Sequence, residues 1–178
     1  MIIGVPKEVK NNENRVGLTP SSVKSLVTSG HKVNIQKNAG AGIGYLNDQY
    51  LNAGAKLIQS AEQIYNSSEM IVKVKEPTPD EYDYLREDLT LFTYLHLAAD
   101  PANARKLIDT GVTGIAYETV TSDDGSMPLL APMSTIAGQL AFIVGSYHLL
   151  KPYKGKGVLL GEMENMDPRN VTVIGAGV

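Results

Sequence analysis

Thr90-Leu-Thr-Leu-Phe-Thr-Tyr-Leu-His96-Leu-Ala-Ala99 is the stretch whose reading decides the fold. It is rich in β-formers and apolar on both faces. It is too short to cross a membrane and too apolar for a sheet edge, so it reads as a central strand of a parallel sheet. His96 closes it, and Asp100-Pro101 then starts a helix. An imidazole is therefore expected where a buried strand opens into the crevice above the sheet, the edge at which open α/β sheets bind ligands.

Upstream, the same alternation repeats. Residues 70–75 form an apolar strand stopped by Glu76-Pro77, and Thr78-Pro79-Asp80-Glu81 is a capping box with proline at the first helical position. Ser60 with Gln63 caps a short helix. Val33 and Ile35 alternate with polar neighbours as a second strand. Thr19-Pro20 opens a helix with Val23, Leu26 and Val27 on one face, closed by Gly30. Residues 2–5 are a first strand ended by Pro6, not a signal peptide, because no basic segment or long apolar run precedes a cleavage site. Downstream, a helix from Pro101 shows Ala104, Leu107 and Ile108 on one face and ends at Gly111. Residues 112–117 form a further strand, with Glu118 just past its end. Asp124-Gly125 suggests a hairpin joining 119–121 to 127–130. Pro132 begins a helix, apolar nearly all round and reaching about Leu150, that should be buried on several sides, as a link between domains or a subunit contact would be.

Strands alternating with helices give an α/β class, with a doubly wound, mostly parallel sheet, helices on both faces and a long C-terminal linking helix. The first domain is read as 1–150. Residues 151–178 are read as a linker and the first strand of a truncated nucleotide-binding domain. Val171-Thr-Val-Ile-Gly175-Ala-Gly177 is a strand entering the first two glycines of a dinucleotide fingerprint. The other glycine-rich run, Asn38-Ala-Gly40-Ala-Gly42-Ile-Gly44-Tyr45, has Tyr45 where the third glycine of that fingerprint belongs, and reads as a flexible connection.

Composition narrows the function. The chain has 178 residues, 43% apolar, a net charge of −3 and no cysteine. No basic cluster points to nucleic acid or an anionic membrane. Lack of cysteine excludes disulfides and thiolate catalysis, and fits a reducing, cytoplasmic setting. His31, His96 and His148 stand far apart without ligand spacing, so no metal is expected.

At the carboxyl ends of the expected strands fall Lys7 and Arg15, then Lys75, then His96, then Glu118. Arg15 suits a two-pronged grip on a carboxylate. Lys75 suits hydrogen bonding to a carbonyl oxygen, and His96 suits proton transfer near neutral pH. Together they fit a small 2-oxo acid. Each also has a plainer use: a solvated loop arginine, a surface pair of Lys75 with Glu76, a satisfied core histidine. Glu118 reads as structural.

Gly4-Val-Pro-Lys-Glu8, Asn12-Glu13-Asn14-Arg15-Val16, Lys73-Val-Lys75-Glu-Pro77, Tyr94-Leu-His96-Leu-Ala98 and Leu130-Ala-Pro-Met133-Ser134, in that order and spacing, resemble the alanine dehydrogenase and pyridine-nucleotide transhydrogenase family. The resemblance runs from Met1 to about Leu160. It implies a Rossmann-like substrate domain. Having both Lys75 and His96 favours the alanine dehydrogenase branch, which interconverts L-alanine, NAD and water with pyruvate, ammonium and NADH. By the same resemblance Arg15 and Lys75 are the pyruvate-binding pair, His96 the catalytic acid/base and Ser134 a cofactor contact. It also implies a homohexamer. Where the family's linker is glycine-rich, this chain has Leu159-Leu-Gly161-Glu-Met-Glu-Asn-Met. The family's catalytic aspartate and most of its NAD site belong to a further domain, so this chain alone is expected to be inactive. A transhydrogenase alpha-type subunit, or a fragment that only binds or assembles, is the alternative.

Overall fold

The structure, a computed structural model, describes residues 1–161, 164, 165, 167 and 169–175. Its chain divides into two compact units, Met1–Val120 and Thr121–Val178.

The first unit is built on six parallel strands: β1 (Ile2–Val5), β2 (Lys32–Gln36), β3 (Lys56–Ile58), β4 (Met70–Val72), β5 (Thr90–Thr93) and β6 (Thr113–Ala116), in the order β3-β2-β1-β4-β5-β6. The winding reverses between β1 and β4, which creates the crevice that doubly wound sheets use for ligands. β5 lies between β4 and β6, in register Ile71↔Leu91 and Leu91↔Gly114, so its polar backbone groups are satisfied on both sides.

Four helices join the strands: α1 (Pro20–Thr28), α2 (Asn47–Asn52), α3 (Ala61–Asn66) and α4 (Pro101–Asp109). Their starts follow the sequence chemistry. The Thr19 hydroxyl accepts from the Ser22 amide at 3.2 Å, Ser60 from that of Gln63 at 3.3 Å, and Asp100 from that of Asn103 at 3.0 Å. The Glu81 carboxylate reaches back to accept from the Thr78 amide at 2.8 Å and hydroxyl at 3.0 Å, on a 3-10 turn over Pro79–Tyr84.

Two cores follow from the period of the strands. Ile3, Val5, Val33, Ile35 and Val72 meet Val23, Tyr50 and Ala53 of α1 and α2 or their flanks. Ile71 and Leu91 meet Ile64, Tyr65 and Leu107 of α3 and α4. Neighbours Ile71 and Val72 thus point to opposite cores, so both faces of the sheet are covered and each fully buried aliphatic side chain contributes about 1.5–3 kcal/mol. Gly4 lets α3 approach: a methyl there would stand 2.8 Å from the Ile64 side chain.

Several expectations change. β3 and α2, which the sequence reading lacks, occupy residues around 47–58. The run from Asn38 to Tyr45 includes a 3-10 turn, Ala41–Ile43, and Gly40 packs on Tyr50. Asn34 does not face water: it is buried and donates to Ser67 Oγ at 3.1 Å. Ile108 is 70% exposed, so the face of α4 toward the core is Leu107's.

In the second unit the long helix is α5 (Ala131–Leu149). Within its own unit it buries no residue; the 3-10 turn Lys151–Tyr153 folds back on its end, with Tyr147 stacked on Tyr153 at 3.8 Å, and residues 158–161 line a hollow beside Phe142 and Tyr147. The turn at Asp124-Gly125 exists, with the Ser122 amide on the Ser126 carbonyl at 2.9 Å, but the flanking segments are not strands. Residues 171–175 have no strand partner among the described residues, and Gly177 lies outside them. No helix among the described residues is long and apolar enough to cross a membrane.

Candidate functional site

The crevice at the reversal point is lined by the segments that leave β1, β4 and β5. β1 does not lead into a glycine-rich phosphate loop. It leads through Pro6 into Lys7-Glu-Val-Lys-Asn-Asn-Glu-Asn-Arg15, so charged side chains stand where a dinucleotide-binding sheet would present backbone amides.

Arg15 is held by Glu13. Its Nε donates to Oε1 at 2.8 Å, its Nη2 to Oε2 at 2.6 Å and its amide to Oε1 at 3.0 Å. This two-pronged pairing fixes the guanidinium plane from one side. It also lowers the Glu13 carboxyl below its ordinary range and raises the guanidinium further. Beside them is a cavity of about 90 Å³, lined by Glu8, Glu13, Asn14, Arg15, Asn38 and Gly42 among others. Its far wall is therefore the glycine-rich run, in which Gly42 lies against Asn14.

Lys75 follows β4 and is half-buried. Its carbonyl accepts from Thr93 Oγ1 at 2.9 Å, which ties it to β5, and its amide donates to Glu8 Oε1 at 3.3 Å. The lysine charge helps to lower Glu13.

His96 follows β5, exposed, with φ of 49°. That left-handed backbone is uncommon outside glycine and strained for a ring-bearing residue. Glu118, just beyond β6, holds it: the carboxylate accepts from the His96 amide at 2.7 Å and the Leu95 amide at 3.1 Å. Glu118 is thus structural and local to the imidazole. The ring stacks on Tyr94, centroids 5.9 Å apart. Tyr94 in turn meets Tyr117 edge-on at 5.0 Å, and Tyr117 meets Phe92 at 4.4 Å, an aromatic platform growing out of the sheet. Burial raises the Tyr94 phenol, offset in part by the Arg15 charge.

The three residues named from sequence therefore gather at one end of the sheet. Tyr94 stacks on His96 and feels Arg15, and Lys75 acts on the glutamate that grips Arg15. Ser134 stands near the start of α5 in the second unit, its amide bonded to the Leu130 carbonyl at 3.1 Å. Among the described residues no group of three His, Cys, Asp or Glu could hold a metal ion.

Sequence reading missed the supports. Lys73, only 1% exposed, pairs with Glu81, whose Oε1 also accepts from the Tyr65 hydroxyl at 2.9 Å. Lysine inside an apolar strand was the available signal, since a buried ammonium requires a partner. Glu8 and Glu13 had no such signal in a loop of mixed charge.

The match that decides the family covers residues 4–137, by the model described as alanine dehydrogenase/PNT, N-terminal domain. The chain belongs to this family. It is 53% identical over all 178 residues to an alanine dehydrogenase of Bacillus subtilis, of which it covers 47%. It is 48% identical over 178 residues to one of Methanococcus maripaludis, covering 48% of that protein. It thus spans about half the length of the relatives it matches. Among solved structures an L-alanine dehydrogenase matches with a TM-score of 0.83 and 51% identity, over 94% of this chain and 46% of the other. A transhydrogenase from Sinorhizobium meliloti matches with a TM-score of 0.62 and 25% identity, over 66% and 35%.

Proposed function

We propose that this chain is the substrate-holding half of an NAD-dependent alanine dehydrogenase, converting L-alanine reversibly to pyruvate and ammonium. The observation that carries the reading is the gathering of Arg15 behind β1, Lys75 behind β4 and His96 behind β5 at the reversal point of one sheet. The 51% identity to an L-alanine dehydrogenase, against 25% to a transhydrogenase, supports this branch of the family over a transhydrogenase-type subunit.

Arg15, oriented by Glu13, grips the substrate carboxylate. Lys75 hydrogen-bonds the 2-oxo oxygen and draws electron density from C2, easing attack by ammonia in the reductive direction. His96 then hands a proton to the carbinolamine hydroxyl, which leaves as water, and in the deaminating direction takes it back from the attacking water. A bound NAD would supply the hydride acceptor that the oxidation of Cα requires. The first unit does not fit a pyrophosphate, because charged side chains replace the glycine-rich turn after β1. The cofactor contact is assigned to Ser134, with residues 1–150 as the substrate domain and 151–178 as the linker and first strand of an NAD-binding domain. The proposal extends to a homohexamer in the cytoplasm, acting on small molecules without nucleic acid or membrane.

A chimera joining this chain to the second half of the Bacillus subtilis relative tests it. It should produce NADH from L-alanine and NAD, and His96→Ala in it should lower turnover by about 10²–10⁴-fold while NADH binding persists. Unchanged turnover would defeat the assignment of His96. NADPH-dependent reduction of an NAD analogue without any response to alanine would favour the transhydrogenase reading.

A further inference from the structure

Glu8 is the group in the first unit that the site as described does not use. Its side chain is 2% exposed, between the exposed neighbours Lys7 and Val9. Oε1 accepts from two successive amides, Val74 at 2.7 Å and Lys75 at 3.3 Å. Oε2 has no hydrogen-bond partner and stands 3.9 Å from Lys73 Nζ, whose short bond goes to Glu81 instead. The same carboxyl lines the cavity beside Arg15. A buried carboxyl with one oxygen unmatched is a costly way to build a loop, and an apolar side chain would fill the space without that cost.

The cost is explained by what the other oxygen does. β4 ends at Val72, and Lys75 lies on the segment that leaves the sheet beyond it. Beyond Val72 the sheet still helps at two points: the Lys73 amide reaches the Phe92 carbonyl at 3.1 Å, and the Tyr94 amide reaches the Val74 carbonyl at 3.3 Å. The amides of Val74 and Lys75, on the β1 side, go to Glu8. Glu8 thus continues the β1–β4 pairing by a side chain where β1 itself has turned away at Pro6.

We propose that Glu8 is a positioning residue for substrate binding: by clamping the Val74–Lys75 amides to the loop that carries Arg15, it sets the spacing between the ammonium and the guanidinium that hold the 2-oxo acid. This rests on the function proposed above. The clamp works by reach and hydrogen-bond acceptance, not by charge. Oε2, the oxygen nearer the Lys73 ammonium, makes no hydrogen bond, and burial raises the carboxyl above its ordinary range against the lowering by Lys73 and the two amides. Glutamine, which keeps an acceptor oxygen at the same length, should replace it; aspartate, which keeps the charge and loses one methylene of reach, should not.

The test uses the 178-residue chain and two readouts. Pyruvate is titrated into ¹⁵N-labelled protein, and hydrogen exchange is followed at the Val74 and Lys75 amides. Glu8→Asp and Glu8→Ala should each weaken pyruvate binding by about tenfold or more and speed exchange at those two amides by a similar factor, with Glu8→Gln close to the unsubstituted chain in both. Binding kept in Glu8→Asp but lost in Glu8→Gln would show that charge, not reach, matters, and would overturn the proposal. So would exchange that is the same in all the variants. If Glu8→Ala fails to fold, the aspartate and glutamine variants decide. Failure of the unsubstituted chain to bind pyruvate would sink the substrate reading, while exchange at Val74 and Lys75 would still judge the clamp.

Discussion

At the scale of single residues, the molecule concentrates its electrostatic cost beneath the crevice. Lys73, Glu81, Tyr65 and Glu8 form a group of ionisable side chains that the sheet and helices almost seal. Burial alone would raise the Glu81 carboxyl, but Lys73, Thr78 and Tyr65 outweigh it and bring it below its ordinary value. Removing one partner of such a pair leaves the other charge buried and unmatched. Glu81→Ala should therefore cost about 3–5 kcal/mol in urea unfolding at neutral pH. The pH dependence has a definite sign. A carboxyl lowered on folding adds stability that is present above its ordinary value of 4.5 and lost as pH falls through the folded value, so Glu81 and Glu13 both weaken the fold in acid. Glu8, raised on folding, acts the other way, and its cost fades as pH falls. Unfolding measured in steps from pH 7 to pH 3 should show a shallower acid loss in Glu81→Gln than in the parent.

At the scale of elements, the joints matter more than the strands. Gly17 lies where the loop from β1 passes over β4, and an added methyl would press into the backbone at Val72 and come within 3.2 Å of the Lys73 amide. Backbone cannot step aside as a side-chain tip can. Gly17→Ala should lower stability by about 1–3 kcal/mol, as overpacking does, and should weaken pyruvate binding because it displaces the segment leading to Lys75. A thermal melt and a pyruvate titration of the same variant check both halves. Most element starts were legible in the sequence, because Thr19, Ser60, Thr78 and Asp100 are short polar acceptors placed before helical runs, three of them followed at once by proline. What escaped was short and unmarked: β3 has three residues, and α2 has six with Leu46, not a polar acceptor, at its N-cap, whereas α3, equally short, is announced by Ser60. An alternating pattern does not show that a polar neighbour such as Asn34 is buried, since its partner Ser67 is distant in sequence.

At the scale of the whole molecule, the class of fold and the end of the sheet at which Arg15, Lys75 and His96 stand were readable, since both follow from the alternation of strand and helix and from which residues end the strands. The reading of β5 holds because two-sided burial leaves a mark that an edge strand lacks, and the structure places it between β4 and β6. Glu118 was legible as a structural residue, but which group each support holds was not readable. Glu13 reaches Arg15 across two residues, but Glu118 reaches His96 across 22 and Glu8 reaches Val74 across 66. No local pattern encodes a partner at such separations. Only the strand order brings them together.

The strained backbone at His96 has a consequence for how the molecule would be attacked. Residues 96–100 are all exposed, and Leu97 shows 44% of its surface. Within the first unit, a protease that favours leucine, such as thermolysin, should nick the folded chain at this segment. If pyruvate engages the imidazole, saturating pyruvate should slow that cut severalfold and leave cuts elsewhere as they were, and peptide masses from a timed digest would show it. His96 would then also mark a point at which the first unit can be severed.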